Sequence, residues 1–197
     1  MKQLWGKFAQ WLELNCPEIL ETFNEAATEA EIAEAEQKMG LHFPKSFKEL
    51  LLIHNGQRDE YKRALGNYVL LSLDEIVDSW QTMKKLVDNN VFKDFEEVEA
   101  VGAVKKEFWW NPCWIPIATN GAGEDICIDL DPDKGGTVGQ IITFWHDWEE
   151  RKVISNSLEA WFSEIIKRLK DGTYKLIEED EEIVLNDFGF TGIYHLA

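Results

Sequence analysis

Apolar positions in the first third of the chain recur at helical spacing. Ile32, Ala35 and Met39 fall three and four residues apart, with glutamates mostly outward between them. Thr28 and Glu31 make a capping-box pattern ahead of that stripe, and Gly40 supplies a C-terminal stop. Pro44 suits the first turn of a second helix, whose apolar face takes in Phe47, Leu50, Leu51 and His54 and which Asn55-Gly56 ends. Two short helices so close together are expected to form a hairpin. Tyr68 to Leu71 predicts a strand. Ser72 and Glu75 then repeat the capping box and open a helix through Ile76, Trp80 and Met83 to about Val87. From Asp88 to Asn111 the pattern is mixed and assigns no element.

From Trp114 the period changes to two. Trp114-Ile115-Pro116-Ile117-Ala118 reads as extended, with Pro116 pointing to an edge or a strand end. Asn120 to Gly123 is a turn. Ile126, Ile128 and Leu130 alternate with Cys127 and Asp129, the pattern of a half-buried strand. The turn Asp131 to Gly136 leads into an extended run from Gly139 to Trp145, and Val153-Ile154 predicts one more strand, giving an antiparallel meander. Asn156 and Glu159 are expected to cap a helix whose stripe is Leu158, Trp161, Phe162, Ile165, Ile166 and Leu169, ended by Gly172. Glu178 to Glu182 is an uninterrupted acidic run, a pattern usually solvated or disordered. Apolar residues beyond it (Ile183, Val184, Leu185, Phe188) suggest a tail that folds back. The order helices, meander, helix is α+β: an antiparallel or mixed sheet of about five to six strands with N-terminal helices and a C-terminal helix packed on it. The expected division is one domain over 1–175 and an acidic tail over 176–197.

Composition narrows the function. The chain has 197 residues, 37 acids against 20 Lys and Arg, and a formal net charge of −17. Binders of nucleic acid and of anionic membranes present basic faces, so neither partner is expected. A field of one sign steers the opposite sign, which favours cationic partners. Nine tryptophans is a high count, and most must be core. Three cysteines, Cys16, Cys113 and Cys127, are odd in number and far apart, which fits a reduced cytoplasmic protein better than a disulfide framework. The first residues lack the apolar run of a signal peptide.

The sequence carries little recognisable chemistry. His42, His54, His146 and His195 lie in no metal-ligand spacing. Asp129, Asp131 and Asp133 resemble the start of a calcium loop, but the required glycine falls at Lys134 and the closing glutamate at Gln140. Gly121-Ala122-Gly123 joins strands and is followed by Glu124 and Asp125, which would repel phosphate. No cofactor, no metal and no catalytic residue is expected.

Two stretches carry a family resemblance. The first is Thr28 to Glu36 followed by Met39-Gly40-Leu41-His42-Phe43-Pro44 and closing with His54-Asn55-Gly56. The second runs from Trp114 through Asn120-Gly121-Ala122-Gly123-Glu124-Asp125, Cys127 to Pro132 and Gly139 to Ile142 to Trp145-His146-Asp147. Together with Ser157 to Phe162 they resemble the SUKH superfamily, which includes fungal cell-wall-assembly regulators. Phe43-Pro44 stands where Leu-Pro is usual. The resemblance implies an α+β fold and a non-catalytic role, either as an immunity protein that neutralises a toxin or as a regulatory scaffold of a cell-wall or signalling pathway.

Acidity tilts the expectation toward the immunity protein, with a basic protein toxin, a nuclease above all, as partner. The expected partner-binding residues are Glu124, Asp125, Asp129, Asp131 and Asp133 on the meander turns, with Asp147 and Trp148 beyond. Trp109-Trp110 are further candidates. Trp114, Trp145 and Trp161 are expected in the core.

Overall fold

The computed structural model describes residues 1–58, 61–179 and 182–186. Helices α1 (Lys2–Asn15) and α2 (Pro17–Leu20) open the chain, followed by α3 (Glu29–Met39) and α4 (Lys45–Leu51). Thr28 caps α3 as expected: its hydroxyl accepts from the Glu31 amide while the Glu31 carboxylate accepts from the Thr28 amide, and Gly40 ends the helix in the left-handed conformation. Pro44 is the N-cap of α4 and not part of its first turn. The Glu36 carboxylate ties the turn together, accepting from the Phe43 amide at 2.6 Å and from Lys48 Nζ at 3.0 Å.

His54-Asn55-Gly56 lies beyond the end of α4, and each residue has a structural task. Asn55 Oδ1 accepts from the Leu73 amide at 2.8 Å, so it holds the start of α5 (Leu73–Asp88). Gly56 has a φ of +73°, and a Cβ there would sit 2.4 Å from the Ser72 nitrogen. His54 is buried between Trp5 and Phe23, at ring separations of 4.1 and 4.7 Å.

Strands β1 (Lys62–Arg63) and β2 (Val69–Leu70) precede α5, and β3 (Glu99–Val101) follows it, inside the stretch that the sequence pattern leaves unassigned. Then come β4 (Trp114–Thr119), β5 (Glu124–Asp129), β6 (Gln140–Trp145) and β7 (Glu150–Ser155). These four make the antiparallel meander, and β2 and β3 extend it to a mixed six-stranded sheet of order β2-β4-β5-β6-β7-β3. At one edge β2 runs antiparallel to β4; at the other β3 runs parallel to β7.

Two local expectations need correction. Pro116 does not mark an edge strand, because β4 lies between β2 and β5. It is tolerated because the paired residues of β2 face only Ala118 and Thr119, and the register of β4 shifts between Pro116 and Ala118. Nor is β5 half-buried. Every residue from Asp125 to Asp129 is buried, and since successive side chains point to opposite faces, both faces of the sheet are covered.

Helix α6 (Leu158–Asp171) packs on β6 and β7 and against α1 and α4, while α5 lies against β4. All six stripe residues of α6 are buried, and Gly172 ends it in the left-handed conformation. Its cap is Ser157, whose hydroxyl accepts from the Ala160 amide at 3.1 Å, one residue later than Asn156. Finally β8 (Lys175–Glu179) and β9 (Glu182–Asn186) pair antiparallel, and β9 also pairs parallel with β1. The acidic run therefore begins within β8 and ends within β9. Leu185 is fully buried and its carbonyl accepts from Gly66. Asp180, Glu181 and residues 187–197 lie outside the described residues.

Candidate functional site

The register of the meander separates the seven expected contact residues. Glu124 pairs with Trp145 at one end of β5, and Asp129 pairs with Gln140 at the other. Six strand residues at ~3.3 Å rise put those ends more than ~15 Å apart. Glu124, Asp125, Asp147 and Trp148 thus gather near one end of the sheet, and Asp129, Asp131 and Asp133 near the other.

Burial divides them again. Asp125 and Asp129 point into the sheet and are almost or wholly inaccessible, so neither can touch a partner. Burial pushes the Asp125 carboxyl up to about 6 and raises that of Asp129 as well. Asp129 is satisfied internally: Gln140 Nε2 donates to it at 2.8 Å, and the Asp131 amide does so at 2.9 Å. Asp131 is taken up by Lys105 at 2.6 Å and Asn111 at 3.1 Å, and the lysine beside it holds its carboxyl below the usual range. Glu124 accepts from Asn120 at 2.6 Å within the hairpin turn. Only Asp133, Asp147 and Trp148 of the seven are exposed. Trp148 stands out, with 57% of its surface accessible.

The tryptophans sort mostly as expected. Trp114 and Trp161 are fully buried, and Trp110 nearly so, which removes it as a contact candidate. Trp145 is partly buried and its Nε1 donates to Tyr68 Oη at 3.3 Å. Trp109 is partly exposed and leads to an arrangement that the sequence did not announce.

Arg151 is the centre of that arrangement. Its side chain is wholly buried, on the sheet face that also carries Phe144. The guanidinium lies 4.7 Å from the Phe144 ring centroid and 5.0 Å from that of Trp109. Nη1 donates to the carbonyls of Trp148 at 2.5 Å and Glu150 at 2.8 Å, and Nη2 donates to that of Trp109 at 3.1 Å. Burial lowers its pKa only to about 10, so the group keeps its charge at neutral pH. Phe95 packs edge-on against Trp109, with centroids 4.6 Å apart, and is itself 48% exposed. The Glu99 amide donates to the Glu149 carbonyl at 3.0 Å, closing the fourth side.

Segments remote in sequence therefore converge at the β7–β3 edge and present Phe95, Trp109 and Trp148 on a rigid base. The aromatics sit among acids. Asp94, Glu96 and Glu97 flank Phe95, Glu107 precedes Trp109, and Asp147 and Glu149 flank Trp148, all of them exposed. Exposed aromatics with a charged rim are the composition of a protein-docking face. Arg151 was missed because its partners are main-chain carbonyls, one of them 42 residues away. The signal available in sequence was the alternation of Arg151 with Val153, which places both on one face of β7.

Among the described residues no group of three or more His, Cys, Asp or Glu is disposed to hold a metal ion, and no helix is long and apolar enough to cross a membrane.

Comparison with known proteins fits a regulatory setting. The sequence model of the SMI1/KNR4 family (SUKH-1) matches residues 26–164. A glucan synthesis regulatory protein of Neurospora crassa is 23% identical over 96% of this chain and 42% of its own length. The cell wall assembly regulator SMI1 of Saccharomyces cerevisiae is 22% identical over 93% of this chain and 43% of its own. A cell wall biosynthesis/cell cycle regulator of Schizosaccharomyces pombe is 24% identical over 94% of this chain and 39% of its own. The chain thus spans about two fifths of the length of these relatives. All three are named as regulators of wall or glucan synthesis. That corrects the expectation of a toxin-neutralising immunity protein, which acidity had favoured: a net charge selects the sign of a partner and says nothing of its biological role. With the family pattern matched from the start of the α3 region through the meander into α6, the chain belongs to the SMI1/KNR4 family (SUKH-1).

Proposed function

We propose that the chain is a regulatory scaffold domain of a cell-wall or signalling pathway, which acts without catalysis by docking a positively charged segment of another protein. The observation that carries this reading is the pair of exposed aromatics Phe95 and Trp148, the first packed on Trp109 and the second tied with Trp109 to Arg151 through main-chain carbonyls, each with acids beside it in sequence. Burying an aromatic side chain contributes most of the affinity at such a face, and the acids set encounter rate and sign preference. Regulation fits this division, because steering and anchoring together give contacts that form quickly and release.

The test is an allele carrying Phe95→Ala and Trp148→Ala, introduced at the native locus beside a deletion. The double variant is expected to reproduce the deletion's sensitivity to cell-wall stress while the protein persists at normal level. An allele indistinguishable from wild type, in a cell where the deletion is sensitive, contradicts the reading. So does a deletion with no wall or signalling phenotype.

A further inference from the structure

Helix α1 carries two apolar runs. Trp5, Phe8 and Leu12 are buried in the core. Leu4, Trp11 and Leu14 make a second run on another face, partly covered at Leu4 and Trp11 and 77% exposed at Leu14. Lys7 falls on this second face, three residues after Leu4 and four before Trp11. Where α1 packs against α6, a groove of about 540 Å³ opens, lined by Leu4, Ile166, Lys7, Lys167, Lys170 and Asp171, with Ser163 between.

The charge of this groove runs against that of the chain. Its lining has three lysines against one aspartate, in a protein with 37 acids and 20 Lys and Arg. Ordinary helix chemistry explains part of this. Lys170 lies in the last turn of α6, where a cation meets the negative end of the helix dipole. Lys167 pairs with Glu164 at 3.2 Å. Neither effect explains Lys7, which lies beyond the first turn of α1 and well before its last, where the helix dipole favours neither sign. Of the lining residues only Ser163 falls within the matched span 26–164.

We infer that this groove docks an acidic amphipathic helix from another protein. Two packed helices leave a furrow into which a third fits by the same ridge-and-groove rule. The incoming apolar face covers Leu4 and Ile166 and continues along Trp11 and Leu14. Its carboxylates meet Lys7, Lys167 and Lys170, whose exposed ammonium groups need no burial to attract them. The acidic aromatic face and the lysine groove then select partners of opposite charge, so one domain can bridge two different proteins. This inference does not depend on the role assigned to Trp148.

The test uses the whole chain and a fluorescein-labelled synthetic helix of about four turns, with Leu at i, i+3, i+4 and i+7 spacing and Glu elsewhere, read by fluorescence anisotropy. Saturable binding is expected. It should weaken about tenfold in the Lys7→Glu/Lys170→Glu double variant and stay unchanged in Trp148→Ala. Lys7 and Lys170 are exposed, so the double variant should keep its thermal midpoint, and Lys7→Glu alone serves if it does not. Absence of saturation overturns the inference, as does equal binding by the double variant or loss of binding in Trp148→Ala. A concentration-dependent dimer that the double variant dissolves assigns the groove to self-association and overturns it too.

Discussion

Trp109 and Trp148, 39 positions apart in sequence, offer their main-chain carbonyls to one guanidinium, that of Arg151, at 3.1 and 2.5 Å. The contact fixes two loops that would otherwise be joined only through the sheet edge. The Trp109 ring lies against the same guanidinium, whereas the Trp148 ring keeps 57% of its surface accessible to a partner. A pre-ordered face loses less conformational entropy on binding than a mobile one.

Arg151→Lys therefore tests the base of the face. An ammonium cannot reach three carbonyls in the fork geometry of a guanidinium, nor lie flat between Trp109 and Phe144. The variant should lose about 2 kcal/mol in urea unfolding. Its affinity for a cationic peptide should fall even though no exposed residue has changed. Unaltered stability would mean that the three hydrogen bonds add nothing net.

Trp148→Ala should behave in the opposite way. With 57% of its surface already in water, its removal should change folding stability by less than about 0.5 kcal/mol. Binding of a cationic partner should lose about 2 kcal/mol, the scale of an anchor residue. A large loss of stability in chemical denaturation would assign the ring to the core instead.

The pH dependence of stability should carry two opposing contributions. Neither ring nitrogen of His54 has a well-formed hydrogen bond among the described residues, and burial pushes its pKa down to about 3, outweighing a weak contact with the Gly56 main chain. The unfolded state, with an imidazole pKa near ~6.5, binds the proton first, so this contribution is complete above about pH 6.5 and is lost as pH falls toward 3. Relative to His54→Leu, wild-type stability should drop by about 1.4 kcal/mol per pH unit in that window. Asp125 has the reverse sign. Its carboxyl is raised to about 6 by burial, so the folded state holds its proton longer than the unfolded one. Relative to Asp125→Asn, wild-type stability should fall between about pH 4 and 6 as pH rises, by roughly 3 kcal/mol in total. Denaturation midpoints of both variants across pH 3–7 separate the two.

Gly56→Ala should be among the most damaging single changes. The backbone is left-handed there, and an added Cβ would lie 2.4 Å from the Ser72 nitrogen and 2.5 Å from the Leu71 carbonyl carbon, main-chain atoms that cannot move aside. A loss of more than about 3 kcal/mol is expected in thermal or chemical unfolding. A mild effect would show that the junction between α4 and β2 relaxes.

What the sequence made legible follows from the range of the interactions involved. Both capping boxes, Thr28–Glu31 and Ser72–Glu75, were readable because a cap is settled within four residues. The α6 stripe was readable because its burial repeats along one helix face. In β5 the alternation of isoleucines with Cys127 and Asp129 suggested a wet face. That face also carries Phe144 and Arg151, and the unassigned segment meets it, with Trp109 against the Arg151 guanidinium and the Ala103 carbonyl accepting from Gln140. For the same reason Asp125 and Asp129 looked like surface acids. Phe95 and Arg151 were invisible because their partners, Trp109 and main-chain carbonyls, come together only in the tertiary structure. Trp148 could be picked out because it stands alone in a polar stretch, between Asp147 and Glu149.

The most direct measurement is calorimetric titration of a lysine-rich peptide into the whole chain at low and at physiological salt, repeated with Phe95→Ala/Trp148→Ala. The account predicts binding that weakens with salt and drops about thirtyfold in the double variant, whose fold and net charge are unchanged. Equal affinity in the two proteins would contradict it, since the peptide would then be responding to overall charge and not to the face that Arg151 supports.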